Sequence, residues 1–87
     1  MTLIYMSGTL RISLNSKKNL EIRSYLITLR KKKSLTQAQL ANLLSVPQSY
    51  VSKVELGKHR LDLLELTSYL YKLDKSITEF LALVKIK

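Results

Sequence analysis

The 87-residue chain has no cysteine and no tryptophan, a single proline, two glycines, one histidine and only six acidic residues. Without cysteine there is no disulfide and no thiolate metal site, and a reducing compartment fits. One histidine, His59, cannot make a metal cluster, so neither a metal nor another cofactor is expected. The parts of an active site are missing too. The sequence offers no paired-carboxylate cleft, no Ser/His/Asp trio and no glycine-rich phosphate loop, so no catalytic residue is assigned and no enzyme is expected. No apolar run approaches the roughly 20 residues that span a bilayer. The N-terminal TLIYM is too short for a signal core and lacks a basic lead-in.

What is present is one domain's worth of chain, 46% hydrophobic, and the scarcity of glycine and proline points to a compact helical protein. At this size a core is feasible but small, so self-association would help stability. Charge is the most informative quantity. Fifteen Lys and Arg against six Asp and Glu give +9, an excess that suits a polyanionic partner, either nucleic acid or an anionic membrane surface. Solubility alone is the bland explanation. Clustering argues against it: from Arg30 to Arg60 there are seven basic residues and a single acid, Glu55. A membrane-surface helix fits poorly, because these bases do not line one amphipathic face.

Along the chain the patterning changes once. In LRISL, Leu10 to Leu14, apolar and polar residues alternate with a strand period, and Ser7-Gly8 could turn the chain after LIYM. Residues 1–18 are therefore read as an N-terminal arm: a small β-hairpin, a dimer-pairing arm or a disordered start. From Asn19 the period is helical: Ile22, Tyr25, Leu26 and Leu29 recur at i, i+3, i+4 and i+7, before the basic end Arg30-Lys31-Lys32-Lys33. Thr36 followed by Gln39 is a capping box that opens a second helix through Leu40, Ala41, Leu43 and Leu44. Pro47 opens a third. Gly57 is a left-handed stop. Asp62/Glu65 and Ser76/Glu79 repeat the capping box ahead of a fourth helix (Leu63, Leu66, Leu70, Leu73 inward) and a fifth (Ile77, Phe80, Leu81, Val84 inward). Residues 19–87 thus make an all-α five-helix domain. Leu64, Tyr69, Tyr71 and Leu83 fall off the inward stripes and read as scattered surface residues or, together, as a partner surface.

The third helix carries the chemistry. At about 100° per residue, Tyr50, Val54 and Val51 share one arc, while Gln48, Ser52, Leu56, Ser49 and Lys53 occupy the opposite one. The second arc is short-chained near its N-terminus, which suits entry into a groove. Glutamine can pair bidentately with adenine, lysine can reach guanine and serine can serve any base. An ordinary solvated helix face is the competing explanation. Ala41 is small where the second and third helices would cross closely, and the turn between them is short.

These residues resemble a known family. LRKKKSLTQAQLANLLSVPQSYVSKVELGK is similar to the helix-turn-helix of the Xre/Cro–phage-repressor regulators, and the likeness extends from Ile22 to about Val84. The resemblance implies a repressor-like bundle bound to double-stranded DNA, with Gln48, Ser49, Ser52 and Lys53 facing bases. It places Thr36 and Gln37, at the start of the second helix, and the loop residues Lys58, His59 and Arg60 on phosphates. Tyr50 joins them, with packing as its competing role. Arg30 and Glu55 match an internal ion pair of several repressors; an exposed pair of small value is the alternative. For Lys31 to Lys33 a solvated helix end is favoured over phosphate contact. The chain is accordingly expected to act in the cytoplasm, at the nucleoid, as a homodimeric repressor or autoregulator on a palindromic operator. An antitoxin or adaptor whose main partner is a toxin or other protein is the alternative. Two departures stand out: Ser45 occupies the turn position that usually holds glycine, and Leu61-Asp62 replaces the proline that often precedes the fourth helix.

Overall fold

The computed structural model describes the backbone at residues 2–6, 9–13 and 16–84 and side chains at 17–83. Two strands, β1 (Thr2–Met6) and β2 (Thr9–Ser13), precede five helices: α1 (Ser16–Lys32), α2 (Gln37–Leu44), α3 (Gln48–Glu55), α4 (Leu63–Lys72) and α5 (Ile77–Val84). The strands pair antiparallel with Ile4 opposite Arg11, and β2 lies against α4. Of the expected arm, residues 2–6 and 9–13 are these two paired strands; the turn expected at Ser7-Gly8, and Leu14, lie outside the described residues. Helix α1 starts at Ser16, within the stretch assigned to the arm. Its first turn, Ser-Lys-Lys-Asn, is polar, so it carries no apolar period to reveal it.

All three capping boxes form. Thr36 Oγ1 accepts from the Gln39 amide at 3.0 Å while the Gln39 side chain accepts from the Thr36 amide at 2.8 Å. Asp62 and Glu65 repeat the exchange at 2.8 and 3.0 Å, and Ser76 and Glu79 at 3.1 and 3.2 Å. Each box satisfies two donors that a helix N-terminus otherwise leaves bare.

Four of the helices also stop in the same way. A residue with positive φ follows each: Ser34 (57°), Ser45 (59°), Gly57 (79°) and Asp74 (61°). The next amide reaches back to a carbonyl five residues earlier: Leu35 to Arg30, Val46 to Ala41, Lys58 to Lys53, and Lys75 to Leu70. This double closure absorbs the last carbonyls of each helix. Only one of the four uses glycine, although a left-handed L-residue costs about 1–2 kcal/mol.

The core is contributed by every helix. Leu26 and Leu29 of α1, Leu40 and Ala41 of α2, Val51 and Val54 of α3, Leu66, Tyr69 and Leu70 of α4, Leu73 behind it and Phe80 of α5 are buried together. Each large apolar side chain so buried is worth about 1.5–3 kcal/mol. Tyr25 and Phe80 pack ring against ring at 5.5 Å, tying α1 to α5. Lys33 and Asp74 add an ion pair between the end of α1 and the α4–α5 turn.

Tyr69 corrects the sequence reading. It is not a surface residue but a fully buried one, at 0% exposure. Leu66, Tyr69, Leu70 and Leu73 are spaced i, i+3, i+4, i+7, so Tyr69 completes the inward stripe. Leu64, Tyr71 and Leu83 are exposed, at 81, 73 and 57%. The side chain of Val84 lies outside the described residues.

Candidate nucleic-acid interface

Helix α3 splits as its sequence suggests. Val51 and Val54, at 0 and 2% exposure, lock it onto the core. Gln48, Ser49 and Lys53 are exposed on the other side, with Ser52 half-buried between them. Among the described residues these four side chains have neither a hydrogen-bond nor an ion-pair partner, so no polar group of the domain covers the ridge. Lys58 and Arg60, in the loop after α3, are also exposed and without such partners there.

The position of α3 is fixed from beneath by one carboxylate. Arg30 Nε donates to Glu55 Oε2 at 2.6 Å and Nη2 donates to Oε1 at 3.1 Å, while Nη1 donates to the Leu35 carbonyl at 2.8 Å. Gln37 Nε2 then donates to the same Oε1 at 2.9 Å. Three helices therefore meet on Glu55: α1 through Arg30, α2 through Gln37, and α3, which carries it. The pair is internal, with side chains 11 and 6% exposed.

Glu65, on α4, does for the loop what Glu55 does for the helix. Its Oε1 closes the α4 capping box, and its Oε2 accepts from the Tyr50 hydroxyl at 3.0 Å and lies 3.0 Å from His59 Nε2. The His59 ring also stacks on Tyr50, centroids 4.9 Å apart and tilted by 48°. Partial burial works to raise the Glu65 carboxyl, but hydrogen bonds from the Asp62 amide, His59 and Tyr50 outweigh it and hold the group below its ordinary value. Burial, then the Glu65 contact, pushes the Tyr50 phenol up, so it stays a neutral donor. Glu65 had a sequence signal only as a capping residue; its second role depends on the tertiary fold.

Arg23 was not anticipated. A side chain built on Gly57 would come within 2.8 Å of its guanidinium, so Arg23 lies directly over the loop's left-handed residue.

The electrostatics follow from where the acids are spent. Glu21 pairs with Lys18, Glu55 with Arg30, Asp74 with Lys33 and Glu79 with Lys75, while Asp62 and Glu65 serve the α4 cap. Neither α2 nor α3 has an acid in its first turn. Both helix N-termini therefore present partial positive charge with no acidic residue in their own first turns. No group of three or more His, Cys, Asp or Glu among the described residues could hold a metal ion. No helix there is long and apolar enough to cross a membrane.

A buried, internally braced helix with an uncovered polar ridge, preceded by a short turn and a capped helix, is the arrangement of a helix-turn-helix. The family model described as helix-turn-helix matches residues 26–80, and the chain belongs to that family, of the Xre/Cro type. It is a DNA-binding protein of the transcription-regulation class, a family that points away from catalysis. Among solved structures, the clp gene regulator ClgR from C. glutamicum is similar, with a TM-score of 0.70 over 85% of this chain and 95% of that one, at 22% identity. That likeness speaks for the fold alone. No curated protein matches the chain.

Proposed function

We propose that this chain is a small prokaryotic or phage repressor or autoregulator, acting in the cytoplasm at the nucleoid as a dimer on a palindromic operator. Gln48, Ser49, Ser52 and Lys53 read base edges in the major groove. Thr36 and Gln37 seat the N-terminus of α2 on a phosphate, and Lys58 and Arg60 hold the backbone beyond α3. The observation that carries this reading is the uncovered ridge of α3 over a valine-locked base.

Within the phosphate set the roles divide. The Thr36 oxygen is spent on the cap, but its hydroxyl proton can still go to a phosphate. Gln37 offers its backbone amide while its side chain holds Glu55. Tyr50 and His59 commit polar atoms to Glu65. They act chiefly by holding the loop so that Lys58 and Arg60 reach the strand.

Selection from random duplex DNA tests the proposal. Enrichment of a two-fold-symmetric site, with half-sites about 34–36 Å apart, supports it. Recovery of no preferred sequence rules it out. A second reading, an antitoxin or adaptor with a protein partner such as a toxin, is favoured by one feature. Leu43 and Tyr71 line an open depression of about 510 Å³ beside Lys72 and Lys75, and Tyr71 is 73% exposed. Stable capture of a protein at physiological salt with no DNA retained would select that reading.

A further inference from the structure

We propose that β1 is the contact between two copies of this chain: the β1 strands of two protomers pair antiparallel about a two-fold axis and join the two hairpins into one four-stranded sheet. The proposal rests on the dimeric reading above and assigns the surface that makes the dimer.

Three observations carry it. The sheet has only two strands in the order β1-β2, and β2 already lies against α4. Among the described residues β1 thus has a strand partner on one side only, and its outer edge presents backbone N–H and C=O groups able to pair with another strand.

The second observation is charge. Two copies of a +9 chain repel, which favours a contact segment without like charges. The first charged side chain in the sequence is Arg11, so Thr2–Met6 carries none.

The third is register. In an antiparallel pair, hydrogen-bonded and non-hydrogen-bonded positions alternate. A two-fold axis therefore requires one residue to sit opposite its own copy. Centring on Ile4 keeps all five residues of β1 paired: Ile4 with Ile4, Leu3 with Tyr5, and Thr2 with Met6. Because Arg11 stands opposite Ile4 within each hairpin, the two Arg11 positions then lie three strand spacings apart, about 14 Å. That exceeds the screening length of about 8 Å at physiological salt. Self-pairing through β2 would do the reverse. Arg11 is the middle residue of Thr9–Ser13, so it would face its own copy at about 5 Å.

Cysteine cross-linking tests the assignment cleanly, because the native chain has no cysteine. Opposed positions on such a two-fold axis have Cα atoms about 4.5–5.5 Å apart, within the span a disulfide bridges. Oxidised full-length Ile4→Cys is expected to run as a covalent dimer, while Leu64→Cys and Leu83→Cys, on the exposed apolar sites of α4 and α5, run as monomers. Ile4→Lys, which places like charges opposite each other, is expected to raise the dimer dissociation constant by about tenfold or more in sedimentation. Its helical circular dichroism and its binding to a single half-site should be unchanged. Cross-linking through Leu64→Cys or Leu83→Cys but not Ile4→Cys overturns the strand contact and leaves the dimer standing. A wild-type chain that sediments as a monomer and occupies its operator as one copy overturns both.

Discussion

The Arg30 guanidinium grips both oxygens of the Glu55 carboxylate from 25 residues away in sequence, with contacts of 2.6 and 3.1 Å. Removing one side of such a pair strands a charge in the interior, which costs about 3–5 kcal/mol. Glu55→Ala would also release Gln37 and leave α3 without its ion-pair tie to α1. In urea denaturation it should lose that amount, a large share of the total for a domain of this size. The double change Arg30→Met/Glu55→Leu should recover most of it, since apolar replacement of both partners avoids the stranded charge. If Glu55→Ala alone costs less than about 1 kcal/mol, the pair behaves as an exposed one.

Base reading and backbone holding are separable by mutation. Gln48→Ala should weaken the selected operator by about 1–3 kcal/mol and leave random duplex nearly untouched. Arg60→Ala should weaken both alike and flatten the log–log salt dependence by about 0.9 for the phosphate it gives up. Fluorescence anisotropy on the two duplexes at several salt concentrations reads both quantities. Equal losses on both duplexes for Gln48→Ala would remove it from the base-reading set.

Much of this was legible in the sequence because the signals were local. The three capping boxes set where α2, α4 and α5 begin, and the apolar period of Val51 and Val54 defined which side of α3 is buried. The Arg30–Glu55 contact came through family resemblance, since nothing local links residues so far apart. What sequence reasoning missed is tertiary in origin only in part. Tyr69 was read as a surface tyrosine although its spacing from Leu66 and Leu73 fits the core. Arg23 over Gly57 and the second role of Glu65 arise only when α1, the α3–α4 loop and α4 come together. The start of α1 was hidden by its polar first turn.

Glu65 should matter to DNA affinity without touching DNA. Glu65→Ala removes half the α4 capping box and both ties to Tyr50 and His59, costing about 1 kcal/mol of stability through the cap. Freed from Glu65, the loop presents Lys58 and Arg60 less well, so affinity should fall equally on operator and random duplex. The carboxyl is held below its ordinary value, so its contribution is complete above the unfolded value of about 4.3 and disappears as pH falls through the lower folded value. Wild type should therefore lose stability in acid more steeply than Glu65→Ala. Denaturation midpoints for the two proteins from neutral pH downward check the sign; parallel curves would show that Glu65 is not linked to folding.

Ser45 holds the turn between α2 and α3 at a φ of 59°, where a side chain brings strain that glycine avoids. Ser45→Gly should raise stability by about 0.5–1 kcal/mol, the left-handed strain relieved being partly offset by the entropy glycine loses on folding. For a domain of this size that is a rise in Tm of about 2–8 °C. Gly57→Ala, at a φ of 79° and with Arg23 in the way, should move the melt down by a similar amount. A Ser45→Gly melt at or below wild type would mean that the serine is stabilised there by something other than its backbone.

Tyr69 offers the last test, because its hydroxyl is buried with no hydrogen-bond partner among the described residues. A polar group so placed has lost its water and gained nothing, at a cost of about 1–3 kcal/mol. Tyr69→Phe keeps the ring and removes the cost, so it should stabilise the domain by about 1 kcal/mol while leaving operator affinity unchanged. The same burial, with the Glu55 carboxylate adding and Arg30 opposing, pushes the phenol up. The neutral form is thus favoured in the folded chain: stability is flat below the ordinary phenol value of about 10 and falls above it, as the unfolded chain releases a proton that the folded one keeps. The decline from this one group is at most about 1.4 kcal/mol per pH unit, and Tyr69→Phe should lack it. Urea midpoints at about pH 8 and about pH 11 should therefore diverge for the two proteins, the variant gaining its largest advantage in alkali. A variant less stable than wild type at both pH values would show that the hydroxyl has a partner after all, with bound water the first candidate.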